Sequence, residues 1–235
     1  MKKENLKIDS ILAVLWGKKS EKIFIAVHGN MSDKEDKVIK LLADRAVSED
    51  YQVISFDLPE HGDRKDDTKY LCKVQNCVSD LKRIISYAKN QYKEINLFAC
   101  SMGAYFSLSA YKNDAISQCL FLSPIVNMEK LITNMMLWSN VTEEELKLKQ
   151  EIKTDFGQTL YWDYYLYVKN NPLKNWNKET FILYGNKDEI QEEAIIKKFA
   201  SENKCGLDIL ENGEHYFHTE EQLNYYMKWL ENKLI

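Results

Sequence analysis

The chain has 235 residues, of which 45% are apolar and 29% are charged, and its formal net charge is −4. These values predict one soluble globular domain with room for an inserted subdomain, and the scattered lysines and arginines exclude the basic stripe typical of nucleic-acid binders. No apolar run reaches the roughly 18 residues of a membrane helix, and none follows the lysines at the N-terminus, so we expect no signal peptide, no integral membrane association and a cytoplasmic location.

Five cysteines occur at irregular spacing, and none of them forms a C-x-x-C pair. This pattern indicates neither a zinc site nor a redox motif. We therefore expect no metal, and we expect the cysteines to act as small hydrophobic residues in a reducing compartment. They are Cys72, Cys77, Cys100, Cys119 and Cys205.

The first half of the chain alternates between strand and helix patterns. Strands are predicted at 7–16, 21–27, 51–57, 95–99 and 118–122. Helices are predicted from a capping box at Ser32 and Glu35 to about Ser48, over 71–90, and from Met102 to Tyr111. The second strand is apolar along its length, as expected of a strand buried on both faces.

This alternation breaks between Ser123 and about Asn175, where no clear strand pattern appears. Two of the three prolines, Pro124 and Pro172, bracket the stretch. Helical patterns occur near 127–139, 142–153 and 157–170. We interpret 124–175 as a helical cap inserted into a core formed by 1–123 and 176–235.

Alternation resumes after the insertion. A strand is predicted at 180–184, a helix at 190–203, a strand at 207–210, and a last helix that starts at the capping box of Thr219 and Gln222. Repeated strand-helix units predict an α/β fold with a mostly parallel sheet and helices on both faces. Ligands of such sheets bind beyond the carboxyl ends of the strands.

The segment Ala99-Cys100-Ser101-Met102-Gly103 joins a predicted strand directly to a predicted helix. A serine at such a sharp turn, with small residues two positions away on each side, is the sequence form of a nucleophile elbow. The same pattern also arises at ordinary turns and helix N-caps. The residues that follow the other predicted strands decide between these readings.

A serine nucleophile requires a base, and the base requires an orienting acid. Ser101, Asp188 and His215 follow one another in the chain order that α/β-hydrolases use, and each comes after a predicted strand. From residue 22 onward the chain resembles α/β-hydrolases, most closely small capped serine esterases and the monoacylglycerol-lipase-like group. The motifs that carry this resemblance are His28-Gly29, Asp57-Leu58-Pro59-Glu60-His61-Gly62, the Ser101 pentapeptide, Gly185-Asn186-Lys187-Asp188 and Gly213-Glu214-His215-Tyr216-Phe217.

The resemblance implies a role for each group. Ser101 would attack the acyl carbonyl, His215 would accept and return the serine proton, and Asp188 would orient the imidazole. The backbone N–H groups of Met102 and Asn30 would form the oxyanion hole. Asn30 departs from the small or apolar residue that this family often has at that position.

Several other residues compete for these roles. Among the histidines, His28 and His61 fit structural positions in loops, and His218 lies three residues beyond His215. Glu189 is the nearest rival of Asp188. Asp57 and Asp63 are expected to be surface or capping carboxylates.

The resemblance implies hydrolysis of a small-molecule carboxylic ester through an acyl-enzyme, without metal or organic cofactor. The aromatic and apolar content of the insertion favours a small or medium, largely apolar acyl group. Thioester hydrolysis or acyl transfer would use the same residues, and a catalytically silent ligand-binding protein is a third possibility.

Overall fold

A central sheet of eight strands organises the chain in the computed structural model, which describes residues 1–173 and 175–234. The strands are β1 (Lys3–Ile8), β2 (Ile11–Trp16), β3 (Lys22–Val27), β4 (Gln52–Phe56), β5 (Glu94–Cys100), β6 (Cys119–Leu122), β9 (Thr180–Gly185) and β10 (Gly206–Leu210). Their order across the sheet is β1-β2-β4-β3-β5-β6-β9-β10. All strands from β4 to β10 in this order pair in parallel, which confirms the predicted mostly parallel α/β fold.

The first predicted strand was wrong, because 7–16 holds the end of one strand and the whole of another. β1 and β2 form an antiparallel hairpin whose turn is Asp9 and Ser10, and Asp9 has a φ of 54°. β2 then pairs antiparallel with β4. The apolar pattern missed β1 because this edge strand is largely exposed and begins with Lys3, Glu4 and Asn5.

Helices cover both faces of the sheet, as predicted. They are α1 (Lys37–Ser48), α2 (Val74–Lys89), α3 (Met102–Ala110), α4 (Met128–Trp138), α5 (Glu143–Lys149), α6 (Trp162–Asn170), α7 (Glu193–Asn203) and α8 (Glu220–Lys233). On one face α1 and α8 pack against the sheet, and on the other α2, α3, α7 and the insertion do so. Among the described residues, no helix combines the length and the apolarity needed to cross a bilayer.

Capping predictions had mixed outcomes. At α8 the reciprocal bonds of a capping box join Thr219 and Gln222, as predicted. The prediction at Ser32 was wrong, because α1 begins only at Lys37 and its N-cap is Asp36, which accepts a hydrogen bond from the Val38 N–H. Ser32 donates to the Asp36 carboxylate instead and supports the cap residue.

The segment between β6 and β9 carries α4, α5 and α6, together with a small antiparallel hairpin of β7 (Glu151–Lys153) and β8 (Thr159–Tyr161). The sequence predicted helix at both strands, which was wrong. Leu160, Tyr165 and Val168 are buried in the same core as the sheet. The predicted boundaries of this insertion include Lys174, and those of the second core segment include Ile235; both residues lie outside the described part of the chain.

Candidate active site

Ser101 occupies a strained turn between β5 and α3. Its φ of 49° and ψ of −127° lie in a region that side chains rarely adopt. A Cβ at Gly103 would lie 2.4 Å from the carbonyl oxygen of His28, so only glycine fits two residues after the serine. On the other side Ala99 is fully buried in β5. Close packing therefore requires the small neighbours predicted from sequence, and it holds the serine at the carboxyl end of the strand.

A continuous hydrogen-bonded line joins Ser101, His215 and Asp188. The Ser101 Oγ lies 2.8 Å from the His215 Nε2, and the His215 Nδ1 lies 2.7 Å from the Asp188 Oδ2. With Nδ1–H donating to the carboxylate, Nε2 is free to accept the serine proton. The other oxygen of Asp188 accepts the N–H groups of Ile190 and Gln191, so both carboxylate oxygens are held.

The loops after β9 and β10 fix the distance between this acid and this histidine. Gly185 and Gly213 are packed so closely that a Cβ at Gly185 would lie 2.3 Å from the Gly213 carbonyl. The Lys187 N–H donates to the Gly213 carbonyl at 2.8 Å. Because the two loops are bonded to each other, Asp188 and His215 keep one relative position although 27 residues separate them in sequence.

Gln191 connects Asp188 to the start of the insertion. It is 1% exposed, its N–H donates to Asp188, and its side-chain oxygen accepts the N–H groups of Val126 and Asn127. The Tyr184 hydroxyl donates to the Gln191 carbonyl. Gln191 could not be identified from the sequence, since nothing in its local pattern distinguishes it from a surface glutamine.

The amides of Met102 and Asn30 are both placed beside Ser101. Met102 begins α3 directly after the serine, and Asn30 follows Gly29, where a Cβ would lie 2.9 Å from the Ser101 Cβ. Within the described ranges neither backbone N–H donates a hydrogen bond. Two backbone N–H groups beside a serine hydroxyl are donors of the kind that an oxyanion hole requires.

His28 and His61 hold the loop that carries Asn30. The fully buried His28 donates from Nδ1 to the Gly29 carbonyl and accepts the Leu58 N–H at Nε2. Burial lowers the pKa of His28 to about 4, because a second proton would be poorly solvated there. The His61 ring lies 3.2 Å from the Asn30 side-chain oxygen. Both rings thus have structural contacts of the kind predicted for them.

The other candidates for the base and the acid, His218 and Glu189, form no hydrogen bond with Ser101 or His215 among the described residues. His218 is exposed, stacks on Tyr216 and lies 3.4 Å from Glu214. Glu189 is exposed, whereas its neighbour Asp188 faces His215.

Asp57 is not the surface or capping carboxylate that was predicted. It is fully buried and forms an ion pair with Lys34, whose N–H also donates to it. Asp63, which is exposed, binds the same ammonium at 2.7 Å. Burial of Asp57 requires this partner, which the sequence places 23 residues away and therefore did not reveal. The network fastens the loop after β3 to the loop after β4.

The parallel sheet, the strained serine turn and the serine-histidine-aspartate line at the carboxyl edge together define the α/β-hydrolase class. Residues 18–159 match the family model described as "Serine aminopeptidase, S33". Because this match covers more than half of the chain, the protein belongs to that family. A comparison with curated proteins gave no significant match.

Solved structures with the same fold include an alpha/beta hydrolase domain-containing protein and an esterase. Est1E from Butyrivibrio proteoclasticus, with ferulic acid bound, superposes with a TM-score of 0.79 at 19% identity over 98% of both chains. Alpha/beta hydrolase domain-containing protein 10 from mouse gives 0.76 at 14% identity, covering 100% of this chain and 98% of that one. The esterase Pf2001 from Pyrococcus furiosus gives 0.69 at 19% identity, covering 99% and 90%.

Proposed function

We propose that the protein is a serine hydrolase that cleaves carboxylic esters through an acyl-enzyme. The observation that carries this proposal is the unbroken line from the Ser101 Oγ through the His215 ring to the Asp188 carboxylate, at 2.8 and 2.7 Å. The Ser101 hydroxyl donates to the His215 Nε2, which makes no other hydrogen bond among the described residues. The second oxygen of the Asp188 carboxylate accepts two backbone N–H groups.

The reaction follows from these positions. Ser101 attacks the acyl carbonyl while His215 removes its proton, and Asp188 stabilises the resulting imidazolium. The amides of Met102 and Asn30 then stabilise the oxyanion, and each such donor is typically worth about 2.7–4 kcal/mol in the transition state. His215 returns the proton to the departing alcohol. A water molecule then attacks the acyl-enzyme with His215 as its base, and the acid is released as the proton returns to the Ser101 oxygen.

We further propose that residues 124–175 cover the site as a cap and favour a small or medium, largely apolar acyl group. Two contacts support this position: Lys73 forms a 2.6 Å ion pair with Asp163, and its ammonium lies 4.5 Å from the centre of the Tyr161 ring. Trp162 and Tyr164, both half-buried, lie on either side of Asp163 in α6. The Est1E structure contains ferulic acid, an aromatic carboxylic acid, so aromatic acyl groups belong among the test substrates.

The first test is labelling with a fluorophosphonate followed by peptide mapping, together with turnover of p-nitrophenyl esters of increasing acyl length. We expect one label at Ser101, and we expect Ser101→Ala to abolish both labelling and turnover. Aminoacyl p-nitroanilides, thioesters and added alcohol acceptors should react more slowly than esters. Faster reaction with one of these classes would replace the ester assignment, and normal turnover by Ser101→Ala would refute the nucleophile.

Two adjacent carboxylates provide a matched pair of variants. Asp188→Asn should lower kcat by about 10⁴-fold, because an amide no longer holds the histidine in the productive tautomer. Glu189→Gln removes the same charge from an exposed neighbour and should leave kcat within about twofold of the wild type, as surface changes of this kind usually do. Equal losses in the two variants would contradict the role proposed for Asp188.

A further inference from the structure

Two of the five cysteines form a close pair next to Glu60, in the loop after β4. The Sγ atoms of Cys72 and Cys77 are 3.6 Å apart, and Cys77 lies in the first turn of α2. Cys72 is half-buried and Cys77 is buried. Their spacing in sequence gave no sign of this pairing, because C-x-x-x-x-C is not a redox motif and only the turn into the helix brings the two thiols together.

We propose that Cys72 and Cys77 form a peroxide-sensitive modification site that oxidises to an intramolecular disulfide. The pair is already in van der Waals contact, so closure to the roughly 2.05 Å of an S–S bond requires a movement of only about 1.5 Å. Cys72 is the more accessible of the two and would react first, and Cys77 stands behind it as the resolving thiol.

The pKa of its thiol separates Cys72 from the other cysteines. The hydrogen bond from Cys77 and the neighbouring His61 ring lower the pKa of the Cys72 thiol, whereas burial raises that of Cys77. Burial likewise raises the pKa of Cys100 to about 12 and that of Cys205 to about 11. Since the thiolate is the reactive form, Cys72 should be oxidised ahead of the rest.

The step balances with hydrogen peroxide as the oxidant. The Cys72 thiolate attacks one peroxide oxygen, the O–O bond breaks, and a sulfenic acid and hydroxide form. Cys77 loses its proton and attacks the Cys72 sulfur, so the S–S bond forms and the sulfenic oxygen leaves as water. Overall, two thiols are oxidised and one peroxide is reduced to two waters.

A short chain of contacts links the cysteine pair to the loop that carries Asn30. The Cys72 N–H donates to the Glu60 carboxylate at 2.6 Å, and Glu60 is followed by His61, whose ring contacts Asn30. Moving Cys72 toward Cys77 would strain the hydrogen bond between the Cys72 N–H and the Glu60 carboxylate. A misplacement of about 1 Å near reacting groups can cost as much as 10²-fold in rate.

A second contact leads from the pair to the insertion. Lys73, directly after Cys72, is the N-cap residue of α2 and binds Asp163. Disulfide formation would therefore disturb both the Asn30 amide and the anchor of the proposed cap. We expect oxidation to slow acylation of Ser101; this consequence, unlike the disulfide itself, rests on the proposed function.

The disulfide is tested directly by mass spectrometry of the full-length protein. Reduced protein is treated with hydrogen peroxide, free thiols are blocked, and the protein is digested with trypsin. Because trypsin cuts after Lys73, the disulfide would link two peptides, 70–73 and 74–82. We expect this linked product in the wild type and in Cys205→Ser, and its absence from Cys72→Ser and Cys77→Ser. No linked product, or earlier oxidation of another cysteine, would overturn the site.

The functional consequence is measured as the rate of fluorophosphonate labelling at Ser101 before oxidation, after oxidation and after reduction with dithiothreitol. We expect oxidation to slow labelling by about tenfold in the wild type and in Cys205→Ser, within the range for misplaced reacting groups. The rate should recover on reduction and should not respond in Cys72→Ser or Cys77→Ser. An unchanged rate with the disulfide present refutes the regulatory role alone. Absence of labelling in reduced protein refutes the proposed function and leaves the disulfide result standing.

Discussion

Acidification from pH 7 to pH 5 should destabilise the protein through His28. The ring is fully buried, donates through Nδ1 and accepts the Leu58 N–H at Nε2. Protonation at Nε2 would remove that acceptor and bury a charge. The pKa of His28 in the folded chain is therefore lowered to about 4, against 6.5 in the unfolded chain.

The sign and size follow from proton linkage. Between pH 6.5 and about pH 4 the unfolded chain binds a proton at this residue that the folded chain excludes, so stability falls as pH decreases. The loss from His28 amounts to about 2 kcal/mol between pH 7 and pH 5, and to about 3 kcal/mol once the pH is below 4. Well above pH 6.5 neither the folded nor the unfolded chain binds this proton, so the contribution of His28 no longer changes with pH.

The assay is urea unfolding of the wild type and of His28→Gln at pH 7 and pH 5. Comparing the two proteins removes the contributions of other groups, including His61, whose pKa is raised and which acts in the opposite direction. We expect the wild type to lose about 2 kcal/mol more than the variant between the two pH values. NMR titration of the histidine rings provides an independent reading. Equal losses in the two proteins, or a His28 resonance that titrates near 6.5, would refute the reasoning.

Two pairs of substitutions test the packing that supports the site. Gly62→Ala should destabilise the protein by at least about 2 kcal/mol, because the new Cβ would lie 2.2 Å from the Asp57 carboxylate in a backbone with a φ of 52°. A Cβ added at Gly157 would have no neighbour within 4 Å among the described residues, so Gly157→Ala should lower the free energy of unfolding in urea only by the backbone cost of about 1 kcal/mol. Equal losses of stability in Gly62→Ala and Gly157→Ala would contradict the packing argument. Tyr226→Phe removes a buried hydroxyl that donates to a carbonyl of α1 and should cost about 1 kcal/mol. The exposed Tyr225→Phe should stay within about 0.5 kcal/mol of the wild type, and a thermal melt that ranks the two in reverse would refute the assignment.

Much of the core fold could be predicted because it is encoded locally. Each parallel strand is a short apolar run followed by a turn, and each amphipathic helix has its own periodicity. The placement of Ser101, Asp188 and His215 at one edge follows from this order, since the carboxyl ends of parallel strands lie on the same side of the sheet. Chain order and topology were sufficient, without any contact information.

The features that sequence analysis missed depend on partners that are distant in sequence or on a turn. Asp57 can be buried because Lys34 forms an ion pair with it. The residues around Asp57 in sequence do not indicate this partner. β7 and β8 have three residues each, too few to show alternation, and they are strands only because they pair with each other. Cys72 and Cys77 are close only because α2 begins between them.

The position of Gln191 has a consequence for engineering this scaffold. Near the start of the insertion the backbone N–H groups of Val126 and Asn127 donate to the buried side-chain oxygen of Gln191, and the backbone N–H of Gln191 donates to Asp188. A graft that replaces only residues 128–170 would keep this junction intact. Libraries of substituted or shortened insertions could then be screened for altered substrate choice while Ser101, His215 and Asp188 keep their spacing, which would make the segment an exchangeable module.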